Sequence, residues 1–143
     1  MTVTINIATI SPEAAHAAVG AAVSHGKSLG INVAAVVIDS SGQMAAFLRS
    51  SGTPFHSSGI AEDKAFTAVS FKVPSDAMFG AISGNPALVA GIPSRPRIAM
   101  FGGGLPVKSG GAVIAAIGVS GGSEAQDVEC AKAGLAAVAA MEG

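Results

Sequence analysis

The chain has 143 residues, half of them hydrophobic and 12% charged, with a formal net charge of −1. So apolar a composition at this length excludes intrinsic disorder and predicts one domain, residues 1–143, with a sizeable core. Eight basic residues against nine acidic ones leave no excess to neutralise phosphates, which argues against nucleic acid as a partner.

The opening run MTVTINIATISPE has no basic patch, apolar stretch or cleavage site of a secretory signal. Ser11-Pro12-Glu13 then reads as a helix start, predicting a helix from Pro12 to Leu29 closed by Gly30. Asn32 to Ile38 is β-branched, Asp39-Ser40-Ser41-Gly42 is a turn signal, and Gln43 to Leu48 returns as a second strand. A second helix is expected over Ile60 to Lys72, ended by Val73-Pro74, and a short third one after Ser75-Asp76. The longest uncharged run, Ala77 to Ser94, is broken by Gly80, Gly84, Pro86, Gly91 and Pro93, so it predicts no membrane span. Ser83 to Pro96 reads as a long loop with one helical turn after Pro86.

Strands are expected at Arg97 to Phe101, Leu105 to Val107 and Ala112 to Val119, with a tight turn at Gly102-Gly103-Gly104. Ser123 and Gln126 have capping-box spacing ahead of a last helix running from Glu124 to about Met141. Its core stripe is Val128, Ala131, Leu135 and Val138, with Cys130 off the stripe. Short connections favour antiparallel pairing, so the fold class is α+β, helices packed on a mainly antiparallel sheet. A single cysteine excludes an internal disulfide and fits a reducing, cytoplasmic address. The apolar excess further suggests that copies of the chain cover part of its surface.

Several residues carry chemistry. No P-loop is present, because Gly26-Lys27-Ser28 closes a helix instead of opening one. Gly118-Val119-Ser120-Gly121-Gly122-Ser123 runs from a buried strand into a helix start, where backbone N–H groups and the dipole suit an anion as readily as they suit a plain turn. His16 and His25 are nine residues apart on one helix, hence on opposite faces, with His16 placed beside Val19 and Val23. His56 stands alone, so no pair of histidines has metal-ligand spacing. Lys64 shares an otherwise apolar helical stripe with Ala68 and Phe71, so its ammonium must reach solvent or meet an anion. Arg49, Arg95 and Arg97 are candidates to clamp a carboxylate, and Asp39 is a turn residue.

The blocks Val36-Val37-Ile38-Asp39-Ser40-Ser41-Gly42, Phe47-Leu48-Arg49 and Lys64-Ala65-Phe66-Thr67-Ala68 are followed by Phe101-Gly102-Gly103-Gly104-Leu105-Pro106 and Ala116-Ile117-Gly118-Val119-Ser120-Gly121-Gly122, then Asp127 and Ala131. In this order and spacing they resemble the GlcG/HbpS family, which includes the C-terminal domain of PduO-type proteins. The chain departs from it at Ser50-Ser51-Gly52, where an acidic residue usually follows the arginine, and at Ala116, where glycine is common. The resemblance implies a profilin-like fold with a five-stranded antiparallel sheet, homo-oligomers, and binding or degradation of haem. It also implies that Lys64 and the turns Gly102 to Gly104 and Gly118 to Gly122 are the functional blocks, with His16 the histidine near the start that ligates iron.

Two functional readings follow. In the first, the chain binds haem or another tetrapyrrole non-covalently, with His16 on the iron and Lys64 or an arginine on a propionate. In the second, it is a small isomerase- or lyase-type enzyme for an anionic organic acid. Gly102, Gly103, Gly104, Gly118, Ser120, Gly121 and Gly122 would then hold the carboxylate, Arg49 or Arg97 would orient it and Lys64 would move the proton.

Overall fold

The computed structural model describes residues 1–142. The Ser-Pro-Glu signal does start a helix, α1 (Pro12–Ser28), in which the Ser11 hydroxyl accepts from the Ala14 N–H. The predicted hairpin follows as β1 (Ala34–Asp39) and β2 (Met44–Arg49). Asp39 holds its turn, since one carboxylate oxygen accepts from the N–H groups of Ser41 and Gln43 and from the Ser41 hydroxyl. Next come α2 (Ser57–Phe71), α3 (Ala77–Ile82) and α4 (Pro86–Gly91), the last capped by the Asn85 side chain. The chain then forms β3 (Gly104–Ser109), β4 (Ala112–Ser120) and α5 (Glu124–Met141), and α5 opens on the reciprocal Ser123–Gln126 capping box.

The four strands lie in the order β2-β1-β4-β3, every neighbour antiparallel. Alternation along each strand divides the core in two. Ala35, Val37, Ala115, Ile117 and Val119 face α1 and α5 and meet Ala15, Ala18, Val19, Ala22 and Ala131. Ala34, Val36 and Ile38 face α2 through Ala61 and Ala65. The result is an α+β sandwich with α1 and α5 on one side of the sheet and α2 on the other.

The sheet has four strands where five were expected. Arg97 to Phe101, although strand-like in composition, is not a strand, because its backbone bonds to a helix side chain. The Thr67 hydroxyl on α2 donates to the Arg97 carbonyl and accepts from the Ala99 N–H. Arg97 itself sits at φ +62, which takes it out of any extended ladder. Cys130 also differs from expectation: it is fully buried in the core with Ala131, because the buried face of α5 runs through Asp127, Cys130, Gly134 and Val138.

Candidate functional site

Lys64 is only 2% exposed although it carries the one ammonium of an apolar helical stripe. Its Nζ donates to the Val119 carbonyl at 2.8 Å and to Asp127 Oδ2 at 3.0 Å, and lies 5.2 Å from the centre of the Phe101 ring. The anion that the sequence demanded is thus supplied by the chain itself, from the first turn of α5. Asp127 Oδ1 accepts the Gly122 N–H at 2.9 Å, so the carboxylate is engaged on both oxygens. Burial pushes the Asp127 carboxyl above its ordinary value of 3.8, and the Lys64 ammonium and the Gly122 N–H pull it back. Because α2 and α5 lie on opposite sides of the sheet, this pair joins the two helical layers past the ends of β3 and β4.

The glycine blocks converge on the same pair for a steric reason. A Cβ on Gly103, at φ +128, would meet the Val119 carbonyl at 2.6 Å and Lys64 Nζ at 2.7 Å. One on Gly104 would lie 2.4 Å from the Lys64 carbonyl, and one on Gly118 2.0 Å from the Ala61 carbonyl, so α2 rests directly on β3 and β4. Gly121 abuts the Asn32 carbonyl, and Ser120, opposite Ala34, is buried at the end of β4. The backbone donors are engaged as well: the Gly102 N–H donates to Glu124 and the Gly122 N–H to Asp127. Lys64 and these turns therefore come together, closed around the chain's own carboxylates.

Arg49 lies elsewhere. It is exposed at the end of β2 and lines a cavity of about 520 Å³ with Gly52, Thr53, Pro54, Phe55 and Ser58. Phe55 is 97% exposed, and the Ser50 hydroxyl, buried one residue after Arg49, has no hydrogen-bond partner. Among the described residues Arg49 makes no salt bridge, whereas Arg97 is held by Glu62 and stacks 3.6 Å over Phe66. The cavity was missed in the sequence, where the signal available was Gly52-Thr53-Pro54-Phe55, a turn that ejects an aromatic ring.

The histidines separate. His25 is half-buried and bonded to Glu129, while His16 and His56 are exposed. His16 does not join Val19 and Val23 in the core, because the buried arc of α1 centres on Ala15, Ala22 and Gly26 and leaves position 16 at its rim. Gly26 packs on Val33 beside the Arg49 end of β1, and His16 is ten residues earlier, about 15 Å away along the helix axis. His56 directly follows Phe55 at the N-cap of α2. Among the described residues no three His, Cys, Asp or Glu side chains cluster as a metal site, and no helix is long and apolar enough to cross a membrane.

Comparison with known proteins places this geometry. The family described as haem degrading protein HbpS-like matches residues 10–136. The corrinoid adenosyltransferase PduO of Citrobacter freundii is 30% identical over 132 residues, which is 91% of this chain and 39% of PduO, so the chain spans about two-fifths of that relative. The crystal structure of Klebsiella pneumoniae ORFY superposes with a TM-score of 0.90 at 30% identity, covering 98% of this chain and 97% of that one. A PduOC complex with haem superposes with a TM-score of 0.82 at 28% identity, covering 90% and 94%. With a family match running from Ile10 to Ala136 over both helical layers and the whole sheet, the chain belongs to the HbpS-like family.

Proposed function

We propose that the chain binds haem or a related tetrapyrrole non-covalently, in the cavity between Arg49 and Phe55, and that it does so as a homo-oligomer. The observation that carries this reading is the cavity's donor set. An arginine free of any carboxylate stands at the rim of about 520 Å³, within the range of small-molecule sites, beside an aromatic ring left in solvent. Arg49 would hold a propionate, Phe55 would lie against the macrocycle, and Thr53 and Ser58 would supply polar contacts. When bound, haem supplies iron-centred ligand and redox chemistry. Two exposed imidazoles are free to meet the iron. His56 belongs to the same loop, whereas His16, the position indicated by the family resemblance, would reach this cavity from a neighbouring copy. The haem complex of PduOC and the corrinoid chemistry of PduO support the ligand class.

The enzymatic reading draws less from the structure, since Lys64 is buried and its ammonium is engaged by Asp127 and the Val119 carbonyl. Titration with haemin, with cobalamin in parallel, tests the binding reading. The expected result is a saturable Soret shift at one equivalent per subunit, weakened roughly tenfold or more by Arg49→Ala through the loss of a charge-assisted hydrogen bond. His56→Ala and His16→Ala, measured separately, identify the ligand imidazole. No saturable shift with either tetrapyrrole would refute the reading.

A further inference from the structure

Thr2, Thr4 and Asn6 alternate with Val3, Ile5 and Ile7, the two-residue period of a strand with one apolar face. Yet residues 1–7 belong to no helix or strand, and Val3, Ile5 and Ile7 are 96%, 79% and 69% exposed. Anchorage starts just beyond them. The Ser40 hydroxyl and N–H donate to the Ala8 carbonyl and the Thr9 hydroxyl, and the Ile10 N–H donates to the Ile114 carbonyl. A β-branched alternating segment so placed lacks both of the things that stabilise it, a hydrogen-bonded neighbour and a covered face.

The sheet offers the matching vacancy. Of its two edges, β3 is blunted by Pro106, which has no N–H to donate, and by the charge of Lys108. The other edge, β2, has no proline, and its one charge, Arg49, stands at its last residue. It is six residues long, with Met44, Phe47 and Leu48 left 48%, 43% and 41% exposed. We propose that residues 2–7 add as a fifth strand to the β2 edge of a second copy, and that two chains exchange these arms about a two-fold axis. Six residues meet six, the arm's side chains carry no charge to oppose Arg49, and its apolar row, confined to one face, would cover Leu48, which the chain's own fold leaves bare on the face it shares with Ala35. This inference rests on the self-association proposed above and names its surface.

Two measurements test it. Light scattering at micromolar concentration should give wild-type protein a mass of at least two subunits, and both Ile5→Asp/Ile7→Asp in the arm and Leu48→Lys on the edge should lower that mass at least twofold with unchanged circular dichroism. Separately, Ile5→Cys protein mixed with Leu48→Cys protein should give a heterodimeric band with a short bismaleimide, whereas wild type, whose Cys130 is buried, should give none. An oligomeric wild type whose mass ignores these substitutions, or a mixture that does not cross-link between chains, overturns the arm exchange and leaves self-association standing. A monomeric wild type overturns both.

Discussion

Removing one partner of the Lys64–Asp127 pair should unbalance the fold in a way that pH can read. Lys64→Met keeps the stem packed against Gly103 but strands a carboxylate that is as deeply buried as the ammonium was. Breaking such a pair costs about 3–5 kcal/mol, which for a domain of this size corresponds to a fall in Tm of roughly 10–15 °C. The stranded Asp127 escapes by binding a proton. Its carboxyl is already raised by burial, and loss of the ammonium raises it further, so the native state takes up a proton more readily than the unfolded chain. The deficit of Lys64→Met is therefore greatest near pH 8 and shrinks as the pH falls toward 5. Asp127→Asn keeps an acceptor for the Gly122 N–H but leaves the buried ammonium without its counter-charge, so it should be destabilised on the same scale, about 3–5 kcal/mol. The double variant Lys64→Met/Asp127→Asn buries no charge and should recover to within about 1–2 kcal/mol of wild type. Urea unfolding at pH 5, 6.5 and 8 measures all three. A Lys64→Met protein as stable as wild type at pH 8, or one whose deficit does not shrink toward pH 5, would refute the reasoning.

Gly118→Ala should cost more than 4 kcal/mol or yield insoluble protein, because the new methyl would sit 2.0 Å from a helix carbonyl; a modest shift in the urea midpoint would show that α2 can retreat. Burial pushes the Cys130 thiol up to about 11, so Ellman's reagent at pH 8 should label it only after denaturant is added, and immediate labelling of native protein would contradict its placement. At Asp39 burial raises the carboxyl, but the hydrogen bonds from Ser41 and Gln43 outweigh it and the net shift is downward from 3.8. Its contribution is therefore present above about pH 4 and lost below. Asp39→Ala should destabilise by about 1–2 kcal/mol at pH 7, with a gap from wild type that narrows as acid is added.

Features written in adjacent residues were legible in the sequence. Ser11, Pro12 and Glu13 start a helix by local chemistry, Ser123 and Gln126 do the same for the last one, and Asp39 builds its turn with neighbours two and four residues on. Features that depend on distant partners were not. Arg97 to Phe101 looks like a strand until Thr67, some thirty residues earlier, takes its backbone bonds. Lys64 announced by its apolar surroundings that it needed an anion, but nothing local singled out Asp127, 63 positions away. The glycine blocks read as places where something approaches the backbone. Only the fold shows that what approaches Gly104 and Gly118 is α2 of the same chain.

The close seating of α2 also limits where a ligand can enter. Between this helix and the sheet, Val36 and Ile38 are fully buried together with Ala34, Ala61, Ala65 and Ala116, and at Gly118 the helix backbone rests directly on β4. A seam packed that closely has no slack to admit a flat molecule by parting. The binding proposed above therefore falls to the rim, where the Arg49–Phe55 loop can change in sequence without moving the wall behind it, and where the proposed second subunit would complete a surface that one chain leaves open.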